Sequence, residues 1–126
     1  TGVEIDADVV EIANTYFKLN EISNFNLFLQ DAFAFVLKET NTYDLIIIDI
    51  FQDTTMPSFL FEDYFINHVK QILNINGFIL FNTMVLSFSE RRRNAVFKTK
   101  FGTDYSVRMY PKIEVHNELF TIKKLK

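Results

Sequence analysis

Cysteine is absent from this 126-residue chain, which removes disulfides, thiolate metal sites and cysteine nucleophiles together and is compatible with a reducing cytoplasm. Glycine is scarce, with 3 residues, so no glycine-rich turn exists anywhere in the chain. A basic excess is lacking as well. The formal charge of −3 and pI near 5.3 argue against general nucleic-acid affinity, which needs a positive face. No apolar run approaches the ~20 residues of a membrane span, and no signal peptide opens the chain, so no membrane association is expected. Internal repeats, low-complexity tracts and linkers are missing too, so residues 1–126 are expected to form a single domain. There is no initiator Met, and the first residues already read as a strand in progress, which is the expectation for a piece of a longer protein.

What is present is material for a core: 48% of residues are apolar, and 15 are Phe. Tyr43-Asp44-Leu45-Ile46-Ile47-Ile48-Asp49 carries the strongest local signal. Four consecutive β-favouring apolar residues predict a strand apolar on both faces, covered on both, as central parallel strands are. The strand is expected over residues 43–50 and the run breaks at a carboxylate, Asp49. Ligands of open α/β sheets bind beyond the carboxyl ends of strands, so Asp49 is a site candidate. The competing reading is that it merely turns the chain.

The rest of the chain alternates around that run. Residues 2–5 predict a strand ending in Glu4 and Asp6. Asp8 with Glu11 resembles a capping box that opens a helix through Leu19. Residues 24–29 predict a second strand, and residues 32–39 a short helix after Gln30-Asp31. Pro57-Ser58 starts a long helix with Phe61, Tyr64, Phe65, Val69, Ile72 and Leu73 as its buried stripe, ended by Asn76-Gly77. Residues 78–81 predict an apolar strand running into Asn82-Thr83. Ser89 caps a further helix to about Lys100, and residues 105–110 and 118–123 alternate like an antiparallel pair. The order β-α-β-α-β-α-β-α-β-β predicts an α/β fold, a doubly wound, mainly parallel sheet with an antiparallel C-terminal hairpin.

In such a sheet three strand ends bring acids to one edge: Glu4 with Asp6, then Asp31, then Asp49. An acid after one strand suits a ribose diol. A second, after the neighbouring strand, can accept from an exocyclic amine. A third, on the central strand, can hold or deprotonate an amine near the reacting atom. Other polar residues read blandly: His68 as a helix-surface residue, His116 as a loop residue without metal-ligand neighbours, Arg91-Arg92-Arg93 as a solvated face.

Val3-Glu4-Ile5-Asp6-Ala7-Asp8-Val9-Val10 resembles the second-strand signature of the spermidine synthases and related S-adenosylmethionine-dependent class I methyltransferases. Gln30-Asp31-Ala32-Phe33-Ala34-Phe35, the run Tyr43 to Asp49 with Pro57 and Leu60, and Asn76-Gly77-Phe78-Ile79-Leu80 are similar to the successive elements of that family. The resemblance covers residues 2–82, and more loosely the hairpin to residue 123. It implies that Glu4 holds ribose hydroxyls with Ile5 beside it, that Asp31 and the backbone N–H of Ala32 hold adenine, and that Asp49, with Asp53, faces the reacting end. The implied cofactor is S-adenosylmethionine or its decarboxylated form, and the implied partner is a small-molecule acceptor.

Two departures from the family pattern carry consequences. Its glycine-rich turn after the first strand would precede Thr1, so the first strand and helix are expected to be missing. Aminopropyltransferases also carry two acids around a short segment after the fourth strand; here Gln52 takes the second acid's place and Asp53 lies one residue late. The expected function is therefore a group-transfer domain, a methyltransferase-like relative of spermidine synthase with unassigned acceptor. The alternatives are aminopropyl transfer to a polyamine and an inactive scaffold of the same fold. Alone, the chain is expected to bind the cofactor weakly, with its sheet closing the gap or being completed by a second chain, a homo-oligomer through exposed strand edges.

Overall fold

The computed structural model describes residues 1–126 and divides into two compact units, Thr1–Glu39 and Thr40–Lys126. The first holds β1 (Gly2–Glu4), α1 (Ala7–Phe17), β2 (Leu27–Leu29) and α2 (Ala32–Lys38). β1 and β2 are parallel, with Glu4 paired to Leu29, so the chain leaves both strands at the same edge. Helix α1 begins two residues earlier than the capping-box pattern predicts. Asp6, not Asp8, is its N-cap and accepts from the Asp8 N–H. It also ends earlier, at Phe17: Lys18 takes a left-handed conformation and a short 3-10 turn, Leu19–Glu21, follows.

The second unit contains β3 (Tyr43–Ile48), α3 (Asp63–Gln71), β4 (Leu73–Met84), α4 (Phe88–Thr99), β5 (Tyr105–Pro111) and β6 (Asn117–Lys124). Its four-stranded sheet has the order β3-β4-β6-β5. β3 and β4 run parallel, and β6 pairs antiparallel with β4 on one side and β5 on the other. The α/β class, the parallel pairing and the antiparallel hairpin agree with the sequence reading. β1 and β2 form a two-stranded sheet within the first unit.

The core lies on one face of this sheet. Ile48, Ile79, Phe81, Phe120 and Ile122 are buried there, together with Phe65, Ile66 and Val69 of α3 and Phe97 of α4. The opposite face is open: Leu45 is 50% exposed and Ile47 65%, against the expectation that β3 would be covered on both faces. The long helix predicted from Pro57 is also broken. Ser58–Phe61 form a 3-10 turn, Glu62 is extended, and α3 starts at Asp63. The break lets three consecutive apolar residues all find partners, which one helical stripe could not do. Leu60 is buried, the Phe59 ring meets Phe65 at 5.0 Å and the Phe61 ring meets Phe81 at 5.5 Å. Tyr64, assigned to the buried stripe, is exposed and meets the His68 ring edge-on at 4.6 Å.

The Asn76-Gly77 pair does not end a helix. It lies inside β4, where the register with β3 shifts between Tyr43 and Leu45, and Asn76 carries the left-handed φ of 67°. Gly77 is required by crowding instead. A Cβ there would lie 2.9 Å from the Asn74 carbonyl oxygen and 3.0 Å from that of Asp44. No helix is long and apolar enough to cross a membrane.

Helix α4 is capped by Ser87 rather than Ser89, in a full capping box with Glu90. Burial pushes the Glu90 carboxyl pKa up, but bonds from the Leu86 N–H, the Ser87 hydroxyl and the Ser87 N–H, with Arg93 nearby, hold it below the ordinary value. A carboxylate depressed on folding stabilises above its unfolded pKa, and that contribution is lost as pH falls through the folded value. Glu90→Gln is therefore expected to flatten the acid limb of the stability curve in denaturant titrations. Ser87→Ala should cost about 1 kcal/mol at neutral pH.

Candidate functional site

At the carboxyl edge of the β1–β2 pair stand two carboxylates. The Glu4 Oε1 accepts from the N–H groups of Ile5, at 2.8 Å, and Asp6, at 2.9 Å, so the side chain curls over the turn that follows β1. Asp31 is the N-cap of α2, and its Oδ1 accepts from the Phe33 N–H at 2.7 Å. The backbone continues this pairing, since the Gln30 N–H donates to the Glu4 carbonyl at 2.9 Å. Ala32 is the first residue of α2, directly after the Asp31 cap. The bonds to backbone engage one oxygen of each carboxylate. A carboxylate accepts at about four lone-pair positions, so both acids retain capacity for further donors. Both can therefore accept from hydroxyl or amine donors at this edge.

The edge of the second unit carries the other candidates. Asp49 directly follows β3, and the register pairing Ile48 with Phe81 sets it beside Asn82 of β4. The Asn82 Nδ2 donates to the Asp49 Oδ1 at 3.0 Å. Asn117, the first residue of β6, donates in turn from its Nδ2 to the Asn82 Oδ1 at 3.0 Å. The bond from Asn82 means that Asp49 is held across strands rather than turned onto its own chain. Asp53 lies four residues further on in a tight turn closed by Gln52 and Thr55, whose N–H groups donate to each other's carbonyls at 2.7 and 2.9 Å. Its φ of 55° is left-handed, a conformation Asp tolerates better than most residues.

Beneath this edge the loop is anchored. The Met56 sulfur accepts from the Met84 N–H at 3.3 Å, and the Arg93 guanidinium donates to the Met84 carbonyl at 2.9 Å while lying 4.0 Å over the Phe61 ring. Arg93 is not the solvated residue that the triple-arginine run predicts, and its burial lowers its pKa. Asn94, 2% exposed, donates to the Thr83 hydroxyl at 2.8 Å and to the Glu118 carboxylate at 2.9 Å. Asn82, Asn117 and Arg93 were invisible as site residues in the sequence. The one available signal was the change from apolar to amide at the end of β4, which gains meaning only once Asp49 is known to stand next to it.

The model of the spermine/spermidine synthase domain matches residues 1–112. A polyamine aminopropyltransferase of Vibrio vulnificus is 28% identical over 110 residues, covering 85% of this chain and 37% of that protein. A probable polyamine aminopropyl transferase of Bifidobacterium longum is 31% identical over 87 residues, covering 69% of this chain and 19% of that protein. The chain thus spans well under half of either relative. Among solved structures, human methyltransferase-like protein 13 in complex with SAH superposes with a TM-score of 0.78 at 21% identity, covering 98% of this chain and 60% of that one. Spermidine synthase from Thermotoga maritima gives 0.69 at 20% identity, covering 98% of this chain and 44% of that one.

Proposed function

This chain belongs to the spermine/spermidine synthase family, and we propose that in its whole protein it binds S-adenosylmethionine or the decarboxylated form and serves group transfer to an acceptor amine. One observation carries the reading: Glu4 and Asp31 stand at the same edge of a parallel pair, each with one oxygen committed to backbone donors. The solved neighbour that holds SAH supports it. When bound, such a donor supplies an alkyl carbon activated by positively charged sulfur. The chain's own tasks are simpler. Glu4 accepts from the ribose hydroxyls and Asp31 from the adenine amine, helped by the N–H of Ala32 at the start of α2. Asp49 takes a hydrogen bond, and then the proton, from the acceptor nitrogen.

Aminopropyl transfer to a polyamine is the second reading, favoured by the names of the two sequence relatives. Against it stands Gln52 where that chemistry uses an acid, since polyamine ammonium groups are bound best by carboxylates.

Calorimetry of the whole protein with S-adenosylmethionine, its demethylated product and the decarboxylated form tests the proposal. Binding of at least one is expected. Glu4→Gln should weaken it roughly 10- to 100-fold, because a diol loses part of a charge-assisted pair worth about 1.5–3 kcal/mol. No heat with any of the three would favour a scaffold that has lost its chemistry. Turnover of putrescine would favour the polyamine reading.

A further inference from the structure

The Asp49–Asn82–Asn117 chain spans three strands and follows from their register. Parallel pairing of Ile48 with Phe81 makes Asp49 and Asn82 neighbours. In the antiparallel β4–β6 pair, Asn82 lies opposite Leu119 and Asn117 opposite Met84, so the two amides are diagonal neighbours on one face. That face is the open one, because Phe81 and Thr83, which flank Asn82 in β4, both point into the core. Chemistry then fixes the direction of every bond. A carboxylate accepts only, so Asn82 must present its amide nitrogen to Asp49. Its carbonyl oxygen is thereby left for Asn117, which must present nitrogen in turn. Both amide orientations are dictated from the carboxylate outward.

We propose that Asn82 and Asn117 are positioning residues for Asp49: a two-amide relay that commits its Oδ1 and holds its carboxylate in one rotamer, so that Oδ2 is presented to the acceptor amine. The functional part rests on the reading of Asp49 as the proton-accepting group. The physical need is plain. An exposed Asp at a strand end otherwise samples three staggered χ1 wells, and proton transfer requires the acceptor oxygen within hydrogen-bond reach. Asn117 contributes by holding Asn82, which by itself could turn its nitrogen away from Asp49. The anchor at the far end is backbone pairing: Asn117 is fixed opposite Met84, and the neighbouring Val85 N–H donates to the His116 carbonyl at 2.7 Å.

The relay predicts a pattern that a merely structural role would not give. In the whole protein, NMR couplings should show a single χ1 rotamer for Asp49, becoming averaged in Asn82→Leu and in Asn117→Ala. With a donor and putrescine as probe acceptor, both variants should lower kcat roughly 10- to 100-fold while leaving KM for the donor unchanged. In an Asp49→Asn background Asn82→Leu should have no further effect on kcat, whereas loss of general folding integrity would lower it again. An unaltered Asp49 rotamer in both amide variants overturns the relay, whatever the protein catalyses. A rotamer that becomes averaged while kcat stays at the parent value overturns the role assigned to it. If the rotamer responds but the parent protein turns over no donor with putrescine, the relay stands and the polyamine reading falls.

Discussion

Phe97→Ala is expected to cost about 3–5 kcal/mol, the range for truncating a fully buried aromatic, out of the ~5–15 kcal/mol that stabilises a domain of ordinary size. Phe97 is 3% exposed, and its ring meets Phe81 at 5.0 Å, Phe120 at 5.2 Å, Phe101 at 5.3 Å and Phe61 at 5.8 Å. These partners come from β4, from β6, from the segment after α4 and from the 3-10 turn before α3, so one side chain ties helix α4 to most of its unit. The contacts with Phe81, Phe120 and Phe101 are steeply tilted or edge-on, the arrangement that adds energy beyond buried area. A drop of that size in the denaturant midpoint, at unchanged slope, would confirm the assignment. Phe97→Leu should cost clearly less, because it leaves a smaller cavity. A cost below about 1 kcal/mol for Phe97→Ala would mean that the aromatic cluster is not the core of this unit.

The sequence made the order of elements legible because each carries its own period. The unbroken Leu45 to Ile48 run lies in β3 and the two alternating segments form β5 and β6, while of the expected helical stripe Phe65 and Val69 are the residues buried on α3. Asp31 and Asp49 stand out as candidates in the sequence because each acid follows an apolar run. What failed were choices between near-equivalent neighbours. Asp6 and Asp8 both suit a cap, as do Ser87 and Ser89, and only backbone geometry selects Asp6 and Ser87. Hydropathy could not report that Leu45 and Ile47 face outward while Ile46 is half-buried and Ile48 fully buried, since the four side chains are alike. The left-handed position fell on Asn76 rather than Gly77, because local crowding by two carbonyls, and not φ, demands the glycine. The asparagine relay was unreadable for a related reason: Asn82 and Asn117 stand 35 positions apart, and register alone brings them together.

Asp49→Asn should reduce group transfer in the whole protein by roughly 10²- to 10⁴-fold, the usual contribution of a positioned general base. The substitution keeps the size of the side chain and can keep the bond from Asn82, whose Nδ2 lies 3.0 Å from the Oδ1. What changes is the second position, where an amide nitrogen replaces an oxygen that could accept. An acceptor amine would then meet a donor instead of a base, and the proton it must release would have no destination on the protein. Donor affinity should stay within about threefold of the parent value, because the nucleoside contacts assigned to Glu4 and Asp31 are untouched; a kcat loss with constant donor KM is the signature of a group used only in the transition state. Asp53→Asn separates the two acceptor readings. If the acceptor is a polyamine, loss of the only other acid in the loop should raise the acceptor KM by weakening a charge-assisted bond. If it is not, Asp53 serves the turn between Gln52 and Thr55, and its replacement by Asn, which tolerates the same left-handed φ of 55°, should leave both constants near their parent values. An Asp49→Asn enzyme retaining more than a tenth of the parent kcat would remove Asp49 from the chemistry.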